Sequence, residues 1–242
     1  MAFKFTYGLR AGFIGITVIA VLLGLLTASI QNTRQQAIAT NCLGLHLGMV
    51  DFGIQGYHDA KGSLPPAYLT DANGKPMHSW RVLVLPYLGY KKLYAQYDFS
   101  EPWNGPHNRL LTDPMPQEYR CTAHEFDLHK QTTDFVAVVG PETAWPGATS
   151  IQFKDITDGV HQTIVLVEVA NSNIHWMEPR EMRFDDAIVG VNVDRVKGIS
   201  STHAGQVSAL TAGGHVFFLE KNTPPETVRA MLTIAGGEKV PF

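Results

Sequence analysis

Residues 13–30 read FIGITVIAVLLGLLTASI, eighteen positions without a charged side chain. A bilayer core is about 30 Å thick and a helix rises about 1.5 Å per residue, so a run of this length and composition reads as a membrane-spanning helix. No water reaches that core, and a lone span satisfies its backbone N–H and C=O groups only as a helix. Lys4 and Arg10 precede the run, and Arg34 is the one basic residue in the fifteen that follow it. The positive-inside rule then sets residues 1–12 as a cytoplasmic tail and residues 31–242 as an extracytoplasmic domain, anchored in the inner membrane through Phe13 to Ile30. A cleaved secretory signal starts with the same basic and apolar regions. The length of the run, and the helical rhythm that continues after it, favour an anchor that is kept.

That rhythm runs through Ile38, Cys42, Leu45, Met49 and Phe52, in steps of four, three, four and three. Leu43, Leu47, Val50 and Ile54 widen the stripe to one that suits packing on a domain. One helix from near Phe13 to about Tyr57 is expected, on the order of 65 Å long. Gly44, Gly48 and Gly53 each cost such a helix roughly 1 kcal/mol against alanine, which points to close backbone packing there. Pro65 and Pro66 end it. Asp71 to Pro76 reads as a turn, and a second helix starts at Ser79 as N-cap with Pro86 as a kink or break. Residues 98–116 read as loop. Phe135–Val139, Thr163–Val169 and Ala187–Val193 read as strands, and Gln206–Leu210 with His215–Leu219 as a hairpin. Thr223 and Glu226 spell a capping box for a last helix that Gly236-Gly237 stops. The fold class is α+β: a long N-terminal helix, half transmembrane and half soluble, packed on a mixed α/β domain with an antiparallel sheet.

A net charge of -3 with no basic stripe excludes nucleic acid as partner. The two cysteines, Cys42 and Cys121, suit an oxidising compartment, either bridged or as two buried thiols. A bridge would close a loop of about 80 residues, worth roughly 4 kcal/mol in the chain-entropy model. Cys121-x2-His124-x4-His129 has partial zinc-like spacing and lacks the second close pair of a structural site. Glu168 falls in the apolar run TIVLVEV, where a carboxylate must be paired or sit at the strand end. His175 and Glu178 follow within eleven residues. His107, His161 and His203 join them only if the fold brings them together. Gly-x-Ser-x-Gly, His-Glu-x-x-His, Walker and Gly-x-Gly-x-x-Gly motifs are absent. No catalytic residue, cofactor or metal ligand is assigned on these grounds. Tyr87, Tyr90, Tyr94, Tyr97, Phe99 and Trp103 make an aromatic cluster that reads as core and rim, or as a surface for stacking sugars.

Several strings resemble the bacterial pilin-like proteins of domain-of-unknown-function family 1559. They are Gly56-Tyr57-His58-Asp59-Ala60 with Pro65-Pro66, Ser79-Trp80-Arg81-Val82-Leu83, Tyr97 to Trp103 with Pro106-His107-Asn108, Tyr119-Arg120-Cys121, Asp155 to Gly159, Val167-Glu168-Val169 and Trp176-x-Glu178-Pro179. The resemblance covers nearly the whole chain and implies a pilin-like anchor helix carrying a compact outer domain with no established activity; the function expected here is a non-catalytic one. It implies a prepilin-type processing junction at Gly12-Phe13, although Thr17 stands where pilins carry an assembly glutamate. It also implies a C-terminal H-x9-DG motif, in which His203 and Gly214 are in place and Gly213 stands where Asp is expected. The expected function is a pseudopilin-like interaction protein with partners in a secretion or pilus-like assembly. The alternative is an anchored binding module for polysaccharide or another cell-surface ligand.

Overall fold

The computed structural model describes residues 9–121, 131–192, 198–203, 206–238 and 240, with positions 9–13, 15, 35, 38, 39 and 41–43 described by backbone alone. The chain forms two compact units, 1–38 and 39–242. In the first, the described residues belong to helix α1 (Leu9–Asn41). Its segment Ile16–Arg34 has mean hydropathy 1.7 and no buried residue, which makes it the one described helix long and apolar enough to cross a membrane. Lys4, of the expected cytoplasmic tail, lies outside the described residues.

The second unit opens on the last three residues of α1, followed by a π-helical segment, Cys42–Leu47, that runs into α2 (Gly48–Lys61). Helical structure thus extends four residues past the expected end at Tyr57. It stops where Gly62 takes φ +75° and donates its N–H to His58 O, a left-handed C-cap that acts before the prolines are reached. The buried side of this segment is Leu47, Val50 and Ile54. Leu45, Met49 and Phe52, which the periodicity put at the centre of the packed stripe, are instead 62%, 41% and 67% exposed. The segment is apolar on both sides, and periodicity reports spacing without saying which side meets the core. Close packing is found at Gly53, where a Cβ would lie 2.7 Å from Leu88 Cδ2. Gly44 and Gly48 have nothing within 4 Å.

A hairpin follows, β1 (Tyr68–Thr70) against β2 (Pro76–Ser79), closed by Asp71, whose Oδ1 accepts the N–H groups of Asn73 and Lys75. Ser79 caps α3 (Trp80–Leu83) by accepting from Arg81 N, as expected. The chain turns through Pro86 before α4 (Lys91–Gln96).

The main sheet joins β3 (Phe135–Val139), β4 (Ile164–Glu168), β5 (Met182–Arg183), β6 (Gln206–Thr211) and β7 (Val216–Glu220) in the order β5-β3-β4-β6-β7. All pairings are antiparallel except β3 with β5, so the sheet is mixed where an antiparallel one was expected. One face carries Phe135, Ala137, Leu166 and Leu210 into a core with Leu47, Val50, Ile54 and Trp80. The other carries Val136, Val138, Val167 and Ala209 against α5 (Phe184–Ala187) and α6 (Pro225–Leu232). Burial on both faces explains why β3 and β4 are continuous apolar runs.

Two expected elements differ. Ala187–Val193 is not a strand: Ala187 ends α5, Val191 makes an isolated bridge to Ile199, and Val193 lies outside the described residues. Gly190 at φ +133° and Asn192 at φ +54° break the extended path. The capping box at Thr223 does not form. The Pro224-Pro225 pair starts α6 one residue late, with Pro224 as N-cap and no side-chain cap, and the helix ends at Leu232, before Gly236.

Candidate functional site

Glu168 ends β4 on the face that carries Leu166, with no exposed surface. A carboxylate there needs partners, and it finds them across the sheet. Ser201 Oγ donates to Glu168 Oε1 at 2.6 Å, and Ser208 N, in β6, donates to Oε2 at 3.1 Å. Burial pushes the carboxyl up from its ordinary range, and the bonds from Ser201 and Ser208 pull against that rise.

His203 brings its Nε2 to 3.7 Å from Glu168 Oε1 and 3.2 Å from Cys121 Sγ. The donor atoms of Cys121, Glu168 and His203 all lie within 4.8 Å of one another, and all three residues are buried. Asp134 adds a second carboxylate, whose Oδ2 accepts Cys121 N–H at 2.7 Å. Among the described residues, Cys121, Glu168 and His203 are the group that could hold a metal ion. Cys121 is disulfide-bonded, which occupies its sulfur. The side chain of Cys42, its expected partner, lies outside the described residues, as do His124 and His129 of the zinc-like spacing.

The other expected site residues disperse. Glu178 accepts from Arg180 Nε at 2.6 Å and from His175 N at 3.2 Å. The His175 ring lies tilted against Trp103, with centroids 5.0 Å apart, and stacks with Trp176 at 6.3 Å. His175 and Glu178 therefore form a separate group from Glu168, which has His203 as its histidine. Trp103 is partly buried and donates its backbone N–H to Met77 O at 3.1 Å. Its loop is tied internally by Glu101, which accepts from His107 N and Asn108 N, and by buried Asn108, whose Nδ2 donates to Asp98 O. Tyr97 is fully in the core, and Tyr90, Tyr94 and Phe99 are packed against it.

His203 and the Gly213-Gly214 turn stand at opposite ends of β6, so nine residues between them are largely one strand. Gly214 takes φ +80°, and a Cβ there would meet Asp51 Oδ2 of α2 at 2.7 Å. The left-handed position is thus Gly214, while Gly213, in the place of the expected Asp, faces the exposed ring of His161, which a Cβ there would meet. Gln55 Nε2 donates to both Asp51 Oδ1 and Ala212 O, which fastens α2 to this turn. Gly12 and Phe13 lie within α1, their side chains outside the described set.

A buried ion pair escaped sequence reading. Arg81 holds Glu181 in a fork, Nη1 to Oε1 at 2.6 Å and Nη2 to Oε2 at 2.9 Å, with side chains 0% and 1% exposed. Ala137 N also donates to Glu181 Oε2, so the pair ties α3 to the middle of β3. One hundred residues separate the partners, and the only local sign was an arginine inside the apolar string around Trp80.

No curated protein and no solved structure matches the chain. Residues 45–150 match one family model, so Arg81, Trp103 and Cys121 lie inside the matched segment, and Glu168, Glu178, His203, Gly213 and Gly214 beyond it. Over residues 45–150 the chain is similar to the family described as Protein of unknown function (DUF1559).

Proposed function

We propose that this protein is a membrane-anchored, pseudopilin-like interaction protein that works by protein–protein contact and carries its 39–242 unit outside the inner membrane. The observation that carries this reading is the apolar side of the segment after the anchor. Leu45, Met49 and Phe52 are exposed in line, with Gly44 and Gly48 beside them offering no side-chain bulk. Aligned exposed apolar residues of this kind favour a partner surface, and small residues let a second helix approach closely. The occupant is another helix of apolar face, in a secretion or pilus-like assembly. Processing at Gly12-Phe13 belongs to the same reading, and Thr17 in place of a glutamate removes the charge that would pair with a neighbour's amino terminus.

The test places a photo-crosslinking residue at Phe52, and a control at exposed Asn73, in cells making the full chain. A Phe52-specific adduct whose mass identifies a second copy, or another chain with an N-terminal apolar helix, supports the reading. Absence of any protein adduct at Phe52, or adducts equal to those at Asn73, overturns it.

A further inference from the structure

The Cys121, Glu168 and His203 cluster has a geometry that neither a disulfide nor a paired carboxylate requires. One ring nitrogen, His203 Nε2, faces both the sulfur at 3.2 Å and the carboxylate at 3.7 Å. A proton relay from thiol through imidazole to carboxylate uses both ring nitrogens, one for each neighbour. Convergence of three different donors on a common point is what a metal ion needs. Bond lengths of about 2.0–2.3 Å around tetrahedral zinc put neighbouring donor atoms roughly 3.3–3.6 Å apart, and the two measured edges lie on either side of that range. The sulfur and carboxylate, within 4.8 Å, need only a small shift of a side chain to close the third edge. The outer contacts are also those of a metal site. Ser201 and Ser208 fix the two oxygens of Glu168, and Asp134 adds negative charge at the Cys121 backbone.

We propose that Cys121, Glu168 and His203 form a divalent-metal site of the zinc type, which is available when the Cys121 disulfide is reduced and closed when it is oxidised. A dithiol reductant supplies two electrons and two protons to the S–S bond, leaves as its own disulfide, and frees two protein thiols. Metal binding then displaces the Cys121 proton to solvent, because the thiolate is the ligand. The three protein ligands leave one tetrahedral position for water or an anion. This site is independent of the apolar face around Phe52.

The test uses the full chain in detergent, titrated with Co2+ in oxidised form, after reduction by a phosphine, and as the Cys42→Ser variant, which leaves Cys121 without its expected partner. The reduced and Cys42→Ser proteins are expected to bind one Co2+ with near-ultraviolet thiolate-to-cobalt absorption, and the oxidised protein to show none. Cys121→Ser and His203→Gln abolish the band, and Ser201→Ala weakens binding by about 10–100-fold. The proposal is overturned if the reduced protein shows no thiolate–cobalt band, if Cys121→Ser keeps it, or if the oxidised protein binds equally. Far-UV circular dichroism accompanies each titration. Loss of the fold in both the reduced and Cys42→Ser proteins also overturns it, since the sulfur could then not be released within the native structure.

Discussion

His175 is kept neutral by its surroundings. Its Nδ1 accepts Met177 N–H at 3.2 Å, which leaves Nε2–H to face Gln131 Oε1 at 3.3 Å, while Trp103 and Trp176 cover the ring. Burial pulls its pKa from 6.5 down to about 4, against the opposing pull of Glu178. Between those values the unfolded chain binds the extra proton, so this group's contribution to stability is complete above 6.5 and is lost as pH falls toward 4. His175→Gln is expected to flatten the stability–pH curve across that window and leave its slope above pH 7 unchanged, as read by urea denaturation at stepped pH. The sequence required Glu168 to be paired or to sit at a strand end, and it does both, closing β4 and accepting from Ser201 and Ser208. Its partners were not legible. Ser201 and Ser208 stand 33 and 40 residues away, and no local pattern links a strand to a loop residue or to a neighbouring strand at that distance.

At the level of elements, the segment from Leu45 to Ile54 shows what periodicity can and cannot decide. Spacing identified a helix, and the sheet chose the side that holds Leu47, Val50 and Ile54. Ile54→Ala should therefore cost about 2–5 kcal/mol, the range for emptying a buried aliphatic site. Phe52→Glu, on the other side, should stay within about 0.5 kcal/mol, as substitutions at exposed positions do. Thermal melts of the two variants beside the parent chain check both values. The hairpin β6–β7 and the strand β3 were legible because apolar runs bounded by glycine permit little else. Ala187–Val193 had the same composition, yet Gly190 and Asn192 adopt positive φ within it, and turn geometry overrode β propensity.

At the level of the molecule, the unit 39–242 has its own two-faced core. A chain beginning at Ala39 is expected to fold cooperatively and to lose membrane association, whereas the full chain stays with membranes after an alkaline wash. Fractionation followed by immunoblotting, with a melting curve on the truncated chain, reads both outcomes. The sequence alone determined the apolar helix, the α+β class and the family strings, because these depend on composition and short spacing. Tertiary structure decided the rest: which side of the helix is covered, the Arg81–Glu181 pair, and the meeting of Cys121, Glu168 and His203. Those contacts join residues that only the folding of a sheet between two apolar layers brings together, and charges buried between such layers must meet partners wherever the chain returns.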